Sequence, residues 1–451
     1  MEELKMIIAG NIGHLRREFG MTQIELAEHL NYTDKAVSKW ERGESYPDFD
    51  TISKMAKIFN IGIIGFGKRS GQGLCKSMRN YASIEGNDGF RVVAITDIRP
   101  EEQLREELDA IGFGEGARIY RTPEEMYENE KLDGVIIGTR CSLHTKMAVI
   151  NAKYGIPVLL EKPVATTDED LDKLCAICPE MDDKTVVSFP LRCSPLAIKT
   201  KEIIDSGILG KISQIQAVNN VNYARGYYHG WYRDTEETGG LFLQKATHDL
   251  DLIQFLLGDK LNPVMISATQ SHMIFKGDMP FGLTCDKCDK RDTCTESDKN
   301  VATYGGDDTS RWVRENWNCC YEENASNHDS ASIMVQYEDG MHAVYSQNFV
   351  ARKAAGRRGV RIIGYNATVE FNFNTKCIDL FYHNEQKNEH IDMTAQCATS
   401  HGGGDLIMIR AFVNIMEGKK STTPLSLGIL SAKLCLAARK SAEENIFVKI
   451  N

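Results

Sequence analysis

The sequence has little that would take the chain out of the cytoplasm. No apolar run reaches the roughly 18 residues that a membrane-spanning helix needs, and the opening residues Met1-Glu-Glu-Leu-Lys5 lack the basic-then-apolar layout of an export signal. The expectation is a cytoplasmic protein with no membrane partner. Positive charge is in deficit as well: 53 lysines and arginines stand against 63 acids, a formal net charge of −10. That balance excludes a broad, non-specific nucleic-acid coat and leaves room for one small reading head. Thirteen cysteines in a long chain without an export signal imply reduced thiols or metal ligands rather than a disulfide framework. What is present is ordinary globular material, 42% apolar and 26% charged over 451 residues, enough for about three domains with a core each.

Residues 1–60 read as an all-α head. Ile7, Ile8, Ile12, Leu15 and Phe19 recur at helical spacing before Gly20; Thr22 then caps a short helix carrying Ile24, Leu26, Ala27 and Leu30, and Thr33 caps a third. The third helix buries Ala36, Val37 and Trp40 and turns Asp34, Lys35, Ser38 and Lys39 outward. That outer row is either a solvated face or a set of hydrogen-bonding groups suited to a major groove. The strings Met21-Thr-Gln-Ile-Glu-Leu-Ala27, Ala36-Val-Ser-Lys-Trp-Glu-Arg-Gly43 and Pro47-Asp-Phe-Asp-Thr-Ile-Ser-Lys-Met-Ala56 closely resemble the lambda-repressor-like (Xre/Cro) helix-turn-helix family. The resemblance covers about Ile7 to Asn60. It implies that Gln23 touches phosphate and that Lys35, Ser38 and Lys39 approach base edges. Because the head is slightly acidic, affinity for DNA calls for two heads on a half-site repeat, and a homodimer or higher homo-oligomer is expected.

Residues 61–188 read as a doubly wound parallel sheet. Ile61-Gly-Ile-Ile-Gly65-Phe-Gly67-Lys-Arg-Ser-Gly71 is a short apolar strand running into glycines and then a helix with Leu74 and Met78, a turn that lets main-chain N–H groups approach a pyrophosphate. The third glycine is displaced by one residue from the usual G-x-G-x-x-G. Phe90-Arg-Val-Val-Ala-Ile-Thr-Asp97 is a second buried strand ending in the acid where a ribose-binding carboxylate belongs. Asp97 favours NAD; Arg99, two residues on, either accommodates the 2′-phosphate of NADP or merely covers the adenine. A strand at Leu132–Thr139, a helix after His144 and a strand ending at Glu161 continue the alternation.

At Glu161-Lys162-Pro163 the chain resembles the Gfo/Idh/MocA oxidoreductases, which also show Thr and His at the places held by Thr139 and His144. The resemblance runs from about Ile61 to the end of the chain. It implies an NAD- or NADP-binding Rossmann domain, with Thr139, His144, Glu161 and Lys162 near the cofactor, and a C-terminal α+β domain over residues 189–451 with a large antiparallel sheet. Runs at Ile212–Val218, Ala331–Tyr337, Ala343–Phe349 and Val360–Gly364 alternate as strands of such a sheet. A lysine at the carboxyl edge of a parallel sheet can relay a proton while hydride moves. Lys162 is therefore the first catalytic candidate.

Gly239-Gly-Leu-Phe-Leu-Gln244-Lys245-Ala-Thr-His248-Asp-Leu-Asp251 opens a helix ending at Gly258. At about 100° per residue, Gln244 and Lys245 lie within about 60° on either side of His248, so all three project into one cleft. In the family this helix supplies Asp and His beside the lysine. Here His248 matches, Gln244 replaces the Asp, and Lys245 adds a cation. Glutamine cannot take a proton, so either His248 and Lys162 share the acid–base work, or Lys245 takes over a role, or catalysis is impaired. Arg192 and Arg233 are the residue types for carboxylate and hydroxyl recognition, or else solvated loop residues. Finally, Cys285-Asp-Lys-Cys288 and Cys294, with Cys319 or Cys320, have spacing that a structural zinc would accept, cytosolic thiols being the simpler alternative.

The reading that unites these features is an NAD(P)-dependent oxidoreductase acting on a sugar, inositol or related polyol, fused to a sequence-specific DNA-binding head. Its rival is a transcriptional regulator that uses the dehydrogenase fold as a nucleotide or sugar sensor, and a third reading confines the head to assembly.

Overall fold

The computed structural model describes residues 2–450 except 19–21, 31, 49–50, 52–57, 86–88, 114–115, 259–260, 304–316, 324–325 and 398–399. By contacts the chain divides into two units, Met1–Gly138 with Ile156–Val158, and Thr139–Gly155 with Leu159–Asn451.

The first unit begins with the head: α1 (Glu2–Glu18), α2 (Gln23–His29) and α3 (Asp34–Glu41). Both short helices start where their caps place them. Thr22 Oγ1 accepts from Glu25 N at 3.2 Å while Glu25 returns a bond to Thr22 N at 2.7 Å, and Thr33 Oγ1 accepts from Ala36 N at 3.2 Å. Ile12, Leu26, Ala27, Leu30, Val37 and Trp40 form the small core, with Tyr32 edge-on to Trp40. Ile7, expected on the apolar stripe of α1, is exposed; Leu15 and Phe19 fall outside the residues whose side chains are described.

The nucleotide-type sheet starts earlier than the sequence suggests. β1 runs Ile58–Ile64, pairing Ile58 with Gly89 of β2 (Gly89–Thr96). A segment Lys68–Leu74 leads into α4 (Cys75–Glu85); α5 (Glu101–Ala110), β3 (Arg118–Tyr120), α6 (Pro123–Asn129) and β4 (Gly134–Ile137) follow. α7 (His144–Tyr154), β5 (Val158–Leu160), α8 (Asp168–Met181) and β6 (Thr185–Val187) complete a six-stranded order β3-β2-β1-β4-β5-β6. The β1–β2, β1–β4 and β2–β3 pairs are parallel, and the apolar runs are buried on both faces, as helices over each side of a parallel sheet require.

The second unit carries α9 (Pro195–Asp205), β7 (Ile212–Asn220), α10 (Thr247–Leu257), β8 (Pro263–Ser271), β9 (Ser330–Tyr337), β10 (His342–Asn348), β11 (Arg357–Gly364), β12 (Ala367–Asn372), β13 (Cys377–Tyr382), β14 (Asn388–Asp392), α11 (Gly404–Met416), α12 (Leu425–Glu444) and β15 (Val448–Lys449). The nine-stranded order is β14-β13-β12-β11-β7-β10-β9-β8-β15. Its pairs are antiparallel except β7 with β10, which makes the sheet mixed. One face alternates toward a core closed by α10 and α12, where Thr247 Oγ1 meets Ser431 Oγ at 2.9 Å. No described helix is long and apolar enough to cross a membrane.

Candidate active site

In the first unit the turn after β1 has glycine at 65, 67 and 71 and so presents little side chain. Gly65 has φ +80°, a left-handed conformation that a side chain resists. A Cβ at Gly71 would come within 2.9 Å of the Phe66 ring, whereas one at Gly67 would meet nothing nearer than Gly138 O at 3.9 Å. That open face at a helix start is what a diphosphate needs to reach main-chain N–H groups. The extra residue in the glycine spacing is absorbed by winding Lys68–Leu74 as a π-helix, whose turn is one residue wider. Ser70 stands where the usual third glycine would and folds inward: its Oγ donates to Gly65 O at 2.5 Å and accepts from Gly67 N at 3.1 Å.

Asp97 closes this side of the turn. Its carboxylate accepts from Phe66 N at 2.7 Å and from Arg99 N and Nε at 3.0 Å each. Burial works to raise its pKa, and the bonds from Arg99 and Phe66 hold it below the ordinary carboxylate value. Arg99 also donates to both Glu107 oxygens at 3.1 Å and to the Phe66 carbonyl. Two acids thus hold the guanidinium that NADP would need.

In the second unit, the segment after β5 is clamped around Lys162. Glu161 Oε1 accepts from Ser188 Oγ at 2.8 Å. The buried His144 ring lies between two carbonyls, Nδ1 at 2.8 Å from Pro163 O and Nε2 at 3.1 Å from Thr139 O, and in its neutral form it donates to one of them. Burial lowers its pKa and favours the neutral ring. Glu161 and His144, expected beside the cofactor, are buried, Glu161 accepting from Ser188 and His144 set between the Pro163 and Thr139 carbonyls, next to the lysine in the chain. The reason is local: a strand end needs partners for its polar groups, and these side chains supply them.

Lys162 Nζ donates to Gln244 O at 2.9 Å and to Gln244 Oε1 at 2.5 Å. Burial brings its pKa down to about 8, with Lys245 acting in the same direction and Cys141, Glu161 and Tyr223 opposing. Gln244 Nε2 lies 4.0 Å from Cys141 Sγ, whose thiol burial pushes up to about 11. Lys245 Nζ donates to Tyr223 OH and sits 4.4 Å from that ring's centroid. Burial drives the Lys245 pKa well below its ordinary value, Arg358 adds repulsion, and Asp249 opposes. Asp249 in turn accepts from Arg358 Nε and Nη2 at 2.8 and 2.9 Å, from Tyr345 OH at 2.9 Å and from Asn219 Nδ2 at 3.0 Å.

The expectation that Gln244, Lys245 and His248 share one regular helical face is revised, because Phe242–Ala246 is wound as a π-helix before α10 begins. Gln244 goes to Lys162 and Lys245 to Tyr223, while His248 lies edge-on to Phe189 with ring centroids 6.5 Å apart. Arg192, expected at substrate, is buried and forms a bidentate pair with Asp251, at 2.8 Å from Nε and 2.6 Å from Nη2. Arg233 is likewise held, with Nη2 at 2.6 Å from Glu322 Oε1. Both guanidiniums are bound to carboxylates of the fold itself.

The zinc expectation for Cys285, Cys288, Cys294 and Cys319 finds no support. Among the described residues no group of three or more His, Cys, Asp or Glu could hold a metal ion. Cys285 packs with Val301 and Trp317.

Two family models match the chain over adjoining stretches: the oxidoreductase family with an NAD-binding Rossmann fold over residues 59–189, and the GFO/IDH/MocA C-terminal domain over 198–370. The chain belongs to the Gfo/Idh/MocA oxidoreductases. A helix-turn-helix model matches residues 12–66. Among relatives, YteT of Bacillus subtilis is 26% identical over 320 residues, covering 63% of this chain and 73% of YteT. Myo-inositol 2-dehydrogenase of Thermotoga maritima is 26% identical over 210 residues, 45% of this chain and 56% of that enzyme. A levoglucosan dehydrogenase in complex with NADH and levoglucosan shares the fold, with a TM-score of 0.67 at 17% identity over 87% of this chain and 100% of its own.

In this Gfo/Idh/MocA chain the residues that sequence reasoning missed are Ser70, Cys141, Tyr223, Asp249 and Arg358. Only Asp249 carried a signal, an acid beside His248 in the string that was read as one helix. Tyr223 and Arg358 arrive from strand ends whose register a single sequence does not reveal.

Proposed function

We propose that the protein oxidises and reduces a sugar, inositol or related polyol with a nicotinamide cofactor, with Lys162 as the proton relay. The observation that carries this reading is the Lys162–Gln244 geometry. A neutral lysine has two N–H donors and one lone pair. Both donors are taken by the two Gln244 oxygens, which leaves the lone pair to accept a substrate hydroxyl proton. In the reverse direction the third N–H of the ammonium is the one to give. Gln244 takes no proton and orients the amine in both states. Lys245 holds the Tyr223 hydroxyl, and His248 is assigned to orienting substrate. Gly65, Gly67 and Gly71 would hold the pyrophosphate of the cofactor and Asp97 its ribose, and the pairing of Arg99 with Asp97 and Glu107 favours NAD over NADP. Bound NAD supplies the hydride acceptor.

Calorimetry with NADH and NADPH, followed by a polyol and sugar oxidation screen, tests this reading. Tighter NADH binding with turnover is expected; tight binding without turnover would move the assignment to a sensor. The pH profile is a second check. Because Lys162 must be neutral to act as base, kcat/KM for oxidation rises with pH and reaches half its plateau near pH 8. Gln244→Asp places a carboxylate beside the ammonium, so the rising limb should move to higher pH.

The head is proposed to read DNA through α3, on which Lys35 and Lys39 are exposed. Ser38 Oγ accepts from Arg42 Nη1 at 2.5 Å. Gln23 Nε2 donates to Glu41 Oε2 at 2.8 Å and so ties α2 to α3, and its second amide N–H is the one proposed to meet phosphate. Lys35→Ala combined with Lys39→Ala should weaken DNA binding at least ten-fold and flatten its salt dependence, as loss of two cationic contacts does. Unchanged affinity would confine the head to assembly. A homodimer would present two heads to a repeated half-site.

A further inference from the structure

The acid that should receive the ribose is already full. Asp97 Oδ1 accepts from Arg99 N and Nε at 3.0 Å each, and Oδ2 accepts from Phe66 N at 2.7 Å and from Arg99 Nη2 at 3.3 Å. A carboxylate has about four lone-pair sites, so these N–H groups use them all, and the side chain is only 9% exposed. Two of the donors are backbone groups held by the turn itself. A ribose hydroxyl therefore reaches Asp97 by displacing Arg99 Nε or Nη2.

Where the displaced guanidinium can go is set by the next helix. Leu104 and Leu108, both fully buried, seat α5 against the sheet and fix Glu107 on the turn between them. Arg99 Nη1 donates to Glu107 Oε1 and Oε2 at 3.1 Å each, and Gln103 Nε2, one turn earlier, donates to Oε1 at 3.3 Å. Arg99 Nη2 also donates to the Phe66 carbonyl. An arginine close after the ribose acid is the residue type that takes the 2′-phosphate of NADP. Here Glu107 offers that arginine a carboxylate, which competes with a phosphate for the same fork of N–H groups.

We propose that Glu107 sets the cofactor choice through Arg99: it draws the guanidinium off Asp97 when a ribose with a free 2′-hydroxyl enters, and withholds it from a ribose that carries a 2′-phosphate. The inference rests on the nicotinamide-cofactor part of the reading above and adds a positioning residue to it. Without the Glu107 charge, Arg99 has Asp97 as its carboxylate partner, and a ribose hydroxyl meets stronger competition there. A 2′-phosphate meets the same guanidinium released on its other side. One substitution thus moves the two cofactors in opposite directions, which a loss of packing does not do.

The test is calorimetric titration of the full chain with NADH and with NADPH. In Glu107→Gln, which keeps the shape and removes the charge, NADH should bind more weakly and NADPH more tightly. The ratio of the two affinities should fall by about ten-fold, a coupling of the size found between side chains in contact. In Arg99→Gln the ribose acid is left open, so NADH should bind at least as tightly as in the parent, and adding Glu107→Gln should then change neither affinity. Adenosine 2′,5′-bisphosphate against AMP repeats the comparison without the nicotinamide. An unchanged ratio in Glu107→Gln, both affinities moving the same way, or an equal effect of Glu107→Gln with and without Arg99 would overturn the proposal. If the parent bound neither NADH nor NADPH, the cofactor reading would fall with it; NADH binding with an unchanged ratio would remove the role of Glu107 and leave that reading standing.

Discussion

Replacing Lys162 by alanine is expected to lower polyol or sugar oxidation by about 10²–10⁴-fold, the usual worth of a positioned acid–base group, with the fold intact. The substitution removes a side chain whose burial already disfavours its charge: the Lys162 pKa of about 8 lies below the ordinary lysine value of 10.5. The unfolded chain therefore binds more protons than the folded one between about pH 8 and 10.5. It follows that this group's contribution to stability grows as pH rises across that window and is lost again as pH falls toward 8. Alanine deletes that pH dependence along with the activity. It also leaves the Gln244 oxygens without the Nζ donor, a cost of about 1–3 kcal/mol that relief from burying an ammonium offsets in part. Unfolding midpoints measured at pH 7 and pH 10 should consequently differ less in the variant than in the parent. Methylamine added at millimolar concentration should restore part of the rate by occupying the space of the lost amine. Full activity in Lys162→Ala would end the assignment of this lysine as the relay.

The largest effect on stability is expected from Asp251→Ala. The Arg192–Asp251 pair is almost wholly buried, with side chains 7% and 2% exposed. Burial pushes the Asp251 carboxyl up to about 6, and Arg192 opposes that rise through charge and hydrogen bonds, so at neutral pH the two are ionised together. Removing the carboxylate leaves a guanidinium buried without its counter-charge, which costs about 3–5 kcal/mol. Urea unfolding monitored on the C-terminal unit measures it. A double substitution, Arg192→Leu with Asp251→Leu, should recover most of the loss, because two apolar side chains remove the stranded charge along with the pair. If Asp251→Ala left the midpoint unmoved, solvent would have to reach Arg192, and the case for a structural rather than substrate-binding arginine would fall.

Much of this molecule is written in short-range chemistry and was legible for that reason. Threonines at 22 and 33, each followed three residues later by a backbone N–H to cap, fix helix starts within a single turn. The glycine turn, Asp97 and the Glu161-Lys162-Pro163 string each lie within one strand-to-loop passage. Lys162 and Gln244 are 82 residues apart, yet both were in view because each sits at the end of its own recognisable element. Helical angles failed at Phe242–Ala246, since a constant 100° per residue has no meaning where the winding changes. Arg358 reaches Asp249 across 109 residues. That meeting depends on the register of β7 against β11, which alternation of apolar residues sets only to within a two-residue step. Arg192 was misplaced for a related reason: nothing local distinguishes an arginine that meets a ligand from one that meets Asp251.

The wide turn at Lys68–Leu74 bears on how such binding loops accommodate a change of length. Leu74 at its end and Met78 beyond it are fully buried, so the extra residue is taken up in one loop of the spiral and α4 keeps its footing on the sheet. A length change there is a local event, reversible by a one-residue deletion. A pattern that demands a fixed interval between the glycines would pass over this turn, although the strand before it and the helix after it sit as they would around the shorter spacing.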